Sequence, residues 1–100
     1  MLWEIPLTPG LERFSERLEL SGRAYSLEFS YNSRFGAWLI DIYDDAEELI
    51  IAGLKLEEGL PMTLFFRGNT IDKLPEGDLV ALFKGGDRSD LGNWTLVYND

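Results

Sequence analysis

Apolar and polar residues alternate with a period of two along most of the chain, the pattern of strands half-buried against a core. It is strongest from Ala37 to Asp44. Trp38, Ile40 and Ile42 fall on one face of an extended strand and Ala37, Leu39, Asp41 and Tyr43 on the other, and because both faces are largely apolar the segment reads as a central strand. Turn chemistry bounds it, with Asn32-Ser33-Arg34-Phe35-Gly36 before and Asp44-Asp45 after. Upstream, Glu12 to Leu20 places Phe14, Leu18 and Leu20 on one face and Arg13, Ser15, Arg17 and Glu19 on the other, and Arg23 to Tyr31 aligns Tyr25, Leu27, Phe29 and Tyr31. If Ser21-Gly22 is the loop of a hairpin, Leu18 lies across from Tyr25 and Phe14 across from Phe29, so the apolar faces coincide. Downstream, Glu48 to Leu54 is a further apolar strand. Closing Asp44-Asp45-Ala46-Glu47 as its turn pairs Tyr43 with Glu48, Ile42 with Leu49 and Ile40 with Ile51.

At the N-terminus Trp3, Ile5 and Leu7 alternate with Glu4 and Pro6, predicting a short strand from Trp3 to Leu7 that its proline confines to a sheet edge; Thr8-Pro9-Gly10 ends it. The second half is less regular. Leu60 to Phe66 predicts a strand, Arg67-Gly68-Asn69 a turn, and Asn69 to Glu76 carries no assignable pattern. Leu79 to Lys84 reads as a strand, with a helical turn as the alternative, Gly85 to Asp90 as loop, and Trp94 to Tyr98 as the last strand. Residues 1–100 therefore read as one all-β domain, a small antiparallel β-barrel or β-sandwich of about seven to eight short strands opening with a hairpin meander.

Composition then narrows the chemistry. The chain has no Cys and no His, which removes disulfides, the usual zinc and iron ligand sets, and any mechanism that relies on a histidine base. A formal charge of -9 repels phosphate backbones and anionic membrane surfaces, so nucleic acid and membrane are not expected partners. Apolar runs such as Leu79 to Phe83 are far too short to span a bilayer. No basic region precedes an apolar core at Met1 to Pro6, so the expectation is synthesis in a cytoplasm without a signal peptide.

The acidic pairs Asp44-Asp45, Glu47-Glu48 and Glu57-Glu58 supply carboxylates, but glycoside hydrolysis needs two at a set separation across a cleft, and adjacent acids on turns read as solvating charge. Asp41 lies within an apolar strand and must find an arginine or backbone donors. Asp87, Asp90 and Asn93 offer oxygen atoms without the ordered alternation of a calcium loop, and Gly85-Gly86 lacks the context of a phosphate cradle. No catalytic residue, metal site or cofactor emerges. Of the aromatic residues, most belong in a core, and Trp3 on the edge-forming segment is the expected exception. Its alternating apolar face makes Trp3, Ile5, Leu7 and Pro9 the candidate partner-binding residues, docking by strand addition or aromatic anchoring.

The run Ile5-Pro6-Leu7-Thr8-Pro9-Gly10, then Arg13-Phe14, a hairpin holding Leu20, Gly22 and Tyr25, and Tyr31 to Trp38 leading into Leu39, Asp41, Tyr43 and Asp44 resembles the baseplate plug family of contractile-tailed bacteriophages. Leu49-Ile50, Ala52-Gly53 and Asp90-Leu91-Gly92 before Leu96-Val97-Tyr98 continue the likeness, which is loose between Glu57 and Asp78. The resemblance implies a non-enzymatic virion component in a phage or prophage tail baseplate, plugging or sealing the axial hub region through contacts with hub or spike proteins. By analogy with other axial tail parts it implies a homotrimer or a three-fold binding site. A small carbohydrate-binding module for host recognition is the alternative, and it would display aromatics in a line on an exposed face.

Overall fold

The structure is a computed structural model, and it describes residues 2–59 and 77–100. Among these residues seven strands run β1 (Leu2–Ile5), β2 (Arg13–Leu20), β3 (Arg23–Asn32), β4 (Ala37–Tyr43), β5 (Leu49–Lys55), β6 (Asp78–Phe83) and β7 (Trp94–Asn99). They form two antiparallel sheets, one ordered β2-β3-β4-β5 and the other β1-β7-β6. The sheets stay open instead of closing into a barrel, and their inward faces share one core of Tyr25, Leu27, Phe29, Ile40 and Ile42 from the first with Ile5, Leu79, Leu96 and Tyr98 from the second. That is the arrangement of a β-sandwich. The predicted strand Leu60 to Phe66 and the turn at Arg67 to Asn69 lie outside the described residues.

The β2–β3 hairpin has the register its apolar faces demand, with Phe14 opposite Phe29 and Leu18 opposite Tyr25. Ser21 and Gly22 both adopt positive φ, 51° and 81°, the backbone of a two-residue turn whose twist matches that of the strands. Phe14 stacks on Phe29 with ring centroids 4.7 Å apart, and Trp38 closes against Phe14 and Tyr31. β4 is an inner strand, as its two apolar faces require.

Two expectations need correction, and one unassigned segment is filled in. The β4–β5 pairing is displaced from the simple hairpin register: Tyr43 lies opposite Leu49, Ile42 opposite Ile51 and Ile40 opposite Leu54, with irregularities between these pairs. At the shift between Ile40 and Ile42, Asp41 Oδ1 accepts a hydrogen bond from Gly53 N at 2.7 Å while Gly53 takes φ 71°, and an extra residue is absorbed there on β5. The first strand starts earlier and ends sooner than its alternation suggests, because Pro6 has no N–H to continue the ladder. The segment before the last strand also holds a short 3-10 turn, Leu91–Asn93, N-capped by the Asp90 side chain.

Candidate functional site

The N-terminal segment lies at the edge of the smaller sheet, where β1 pairs with β7 through Leu2–Asn99, Trp3–Tyr98, Glu4–Val97 and Ile5–Leu96. The four candidate residues do not form one face. Trp3 is 52 % exposed and Leu2 beside it 66 %, whereas Ile5 is 4 % exposed and packs in the core. Leu7 is half-buried against that core and Pro9 is exposed. Ile5, Leu7 and Pro9 do come together around a surface hollow of about 190 Å³ that Lys84 and Trp94 also line, while Trp3 is absent from it. The Asp100 side-chain carboxylate near Trp3 accepts from Ser21 Oγ at 3.2 Å. The exposed apolar part of β1 is therefore the Leu2–Trp3 surface, and Ile5 is buried beneath it.

The loop from Lys84 to Asn93 closes one end of the sandwich, and tryptophans hold it there. Trp38 Nε1 donates to Ser89 O at 2.9 Å and Trp94 Nε1 to Arg88 O at 3.0 Å. The Arg88 guanidinium lies 4.2 Å from the Phe83 ring centroid, faces Trp94 as well, and pairs with Glu58 at 2.7 Å. With Trp38 and Trp94 buried, Trp3 is the exposed one of the three tryptophans, so no line of indoles faces solvent for a sugar to stack on.

The acids considered for chemistry serve the turns. Asp44 Oδ1 accepts from the backbone N–H of Ala46 and of Glu48, each at 2.9 Å, and Lys55 pairs with Glu57 at 3.2 Å. Asp87 Oδ1 accepts from Ser89 N and Ser89 Oγ, and these two bonds, the backbone one foremost, hold its carboxyl below the usual aspartate range. Asp90 caps Gly92, and Asn93 Nδ2 donates to Asp87 O. Among the described residues no group of three or more acid side chains is gathered to hold a metal ion.

Glu16 is assigned to neither face in the sequence reading, although the period of two puts it with Phe14, Leu18 and Leu20. It lies between Phe14 and Leu18 on the inward face of the edge strand β2, opposite Leu27, and burial pushes its carboxyl above the ordinary glutamate value. Beside the charged outer face of Arg13, Arg17 and Glu19, an inward carboxylate discourages another strand from pairing on this edge. The β4–β5 irregularities do the same for the β5 edge. Glu58 bridges to Ala81 alongside β6, with Gly59 N donating to Ala81 O. β1 carries neither an inward charge nor a register irregularity, and is limited by its length, its exposed Glu4 and the Pro6 that follows it.

No curated protein matches the chain. A family model described as "Cyanophage baseplate Pam3 plug gp18" matches residues 2–100, which spans both sheets, the capping loop and the β1 edge. The chain thus belongs to this cyanophage baseplate plug family, whose place is in the phage tail baseplate, in a structural role and in association with other baseplate proteins.

Proposed function

We propose that the protein is a non-enzymatic plug that seals the axial hub region of the baseplate and is seated there by its β1 edge. The family match over residues 2–100 carries this reading. The exposed pair Leu2 and Trp3 on an edge strand whose one charge is Glu4 gives it a physical handle. An extended segment of a hub or spike protein pairing on β1 gains backbone hydrogen bonds, with the indole as the apolar anchor. In this reading the chain is made in the bacterial cytoplasm, kept soluble by its net charge of -9, and enters the particle as a three-fold set of copies around the tail axis.

Incorporation into baseplates tests it. Trp3→Ala combined with Leu2→Ala leaves the buried Ile5 untouched, so the fold persists; the expected result is loss of the plug from assembled baseplates. Normal incorporation of this variant would overturn the seating by β1. Particles that assemble without the protein and retain their contents would overturn the sealing role.

A further inference from the structure

Phe35 is the most exposed large apolar side chain among the described residues, at 76 %, and its turn is not a loose one. Asn32 Oδ1 accepts from Arg34 N at 3.0 Å and from Phe35 N at 3.2 Å, fixing the aromatic at the tip of the β3–β4 connection. Next to it the Arg34 guanidinium has no partner among the described residues, unlike Arg13, Lys55 and Arg88, which pair with Glu28, Glu57 and Glu58. The opposite end of the same sheet carries the complement. There, a hollow of about 370 Å³ is lined by Gly22, Arg23, Ala24, Tyr25, Asp44 and Asp45. Asp45 is exposed, its carboxylate has no partner among the described residues, and Arg17 reaches its main-chain carbonyl at 3.4 Å.

We propose that the Arg34–Phe35 knob of one copy docks into the Asp45 hollow of a second copy, a head-to-tail contact that joins like chains. The contact has to be between molecules. β3 runs from Arg23 to Asn32, which separates knob and hollow by roughly 30 Å along the strand, so a knob cannot fill its own hollow. The hollow exceeds an aromatic side chain in size, and Arg34 and Asp45 supply the charge complementarity. The groove nearer the knob, lined by Lys55, Glu57, Glu58 and Arg88, is a poorer fit, because its acids are already paired with its bases. Repulsion between copies of charge -9 is screened beyond a Debye length of about 8 Å at physiological salt, whereas the charges in contact are not. Head-to-tail contacts close into a ring or extend as a stack, according to the rotation between neighbours.

This inference rests on the self-association proposed for the plug and names its surface. The test is the solution mass of the whole chain by sedimentation and light scattering over a range of concentrations. Oligomers are expected, with Phe35→Ser and Arg34→Asp each weakening association by roughly tenfold or more. Arg34→Asp combined with Asp45→Arg should restore it, and thermal melts should show that each variant remains folded. A monomer at every concentration, association indifferent to Phe35→Ser, or no rescue by the charge swap would each overturn the proposal. The Leu2 and Trp3 variant, measured in parallel, is expected to keep the oligomer while losing the baseplate, so failure of one surface is distinguished from failure of the other.

Discussion

Glu16 shows how one residue can serve a protein at the expense of its stability. Its carboxylate sits on the inward face of β2 among Phe14 and Leu18, where ionisation is opposed by desolvation. The folded-state pKa lies above the unfolded value, so the protonated side chain's contribution to stability is present at low pH and is lost as pH rises through the raised folded value. Glu16→Gln is therefore expected to be more stable than the parent at neutral pH. The gain should stay below about 1 kcal/mol, because the position is only partly desolvated. The advantage should vanish in acid, and urea titrations of both proteins across that range are the measurement; equal stability at every pH would show that the site is fully hydrated. At the neighbouring extreme is Tyr98, fully buried on β7, whose hydroxyl accepts from Gly77 N at 2.7 Å and lies 2.6 Å from Ser21 Oγ. Its polar atom is satisfied, and it ties the β2–β3 turn to the second sheet.

Among the elements, the β4–β5 pair depends most on a single polar contact. Asp41→Ala removes the acceptor of the Gly53 N–H and is expected to cost about 1 kcal/mol, with hydrogen exchange at Gly53 accelerating while the β2–β3 hairpin stays protected. Gly53→Ala should cost roughly 1–2 kcal/mol through its left-handed backbone, since open space surrounds the position and no steric clash contributes. Unchanged exchange in Asp41→Ala would mean the displaced register is held by packing. This bulge also explains what the sequence could and could not reveal. The β2–β3 register was legible because a two-residue turn leaves one pairing that superimposes the apolar faces. The β4–β5 register was not, because alternation records which face a residue takes and not where a side chain inserts into the partner strand. The edge position of the N-terminal strand was legible from Pro6. The withdrawal of Ile5 was not, since alternation puts Trp3 and Ile5 on one face without saying how far the opposite sheet extends over it. The stapling of the Lys84–Asn93 loop depends on indole hydrogen bonds across 51 residues for Trp38, a separation at which local pattern carries no information.

For the molecule as a whole, net charge and the folded shape pull against each other. The chain has eighteen acids against nine bases, and most of them lie in the described sandwich, whose longest dimension is 35 Å, so the compact state suffers self-repulsion that the unfolded chain largely escapes. The ion pairs Arg13–Glu28, Lys55–Glu57 and Arg88–Glu58 join largely exposed groups and are worth little each. Added salt screens both effects, but the repulsion is summed over the excess of acids while the attraction is confined to a few solvated pairs. Repulsion therefore outweighs attraction, and the melting temperature should rise as salt is raised from low to physiological concentration. Association between copies should respond in the same sense, strengthening as salt screens the repulsion between two chains of charge -9 while the Arg34–Asp45 pair in contact is spared. One salt series read by both thermal melting and solution mass thus tests the same repulsion within a molecule and between molecules. A melting temperature that falls with salt would assign more of the stability to ion pairs than their exposure allows.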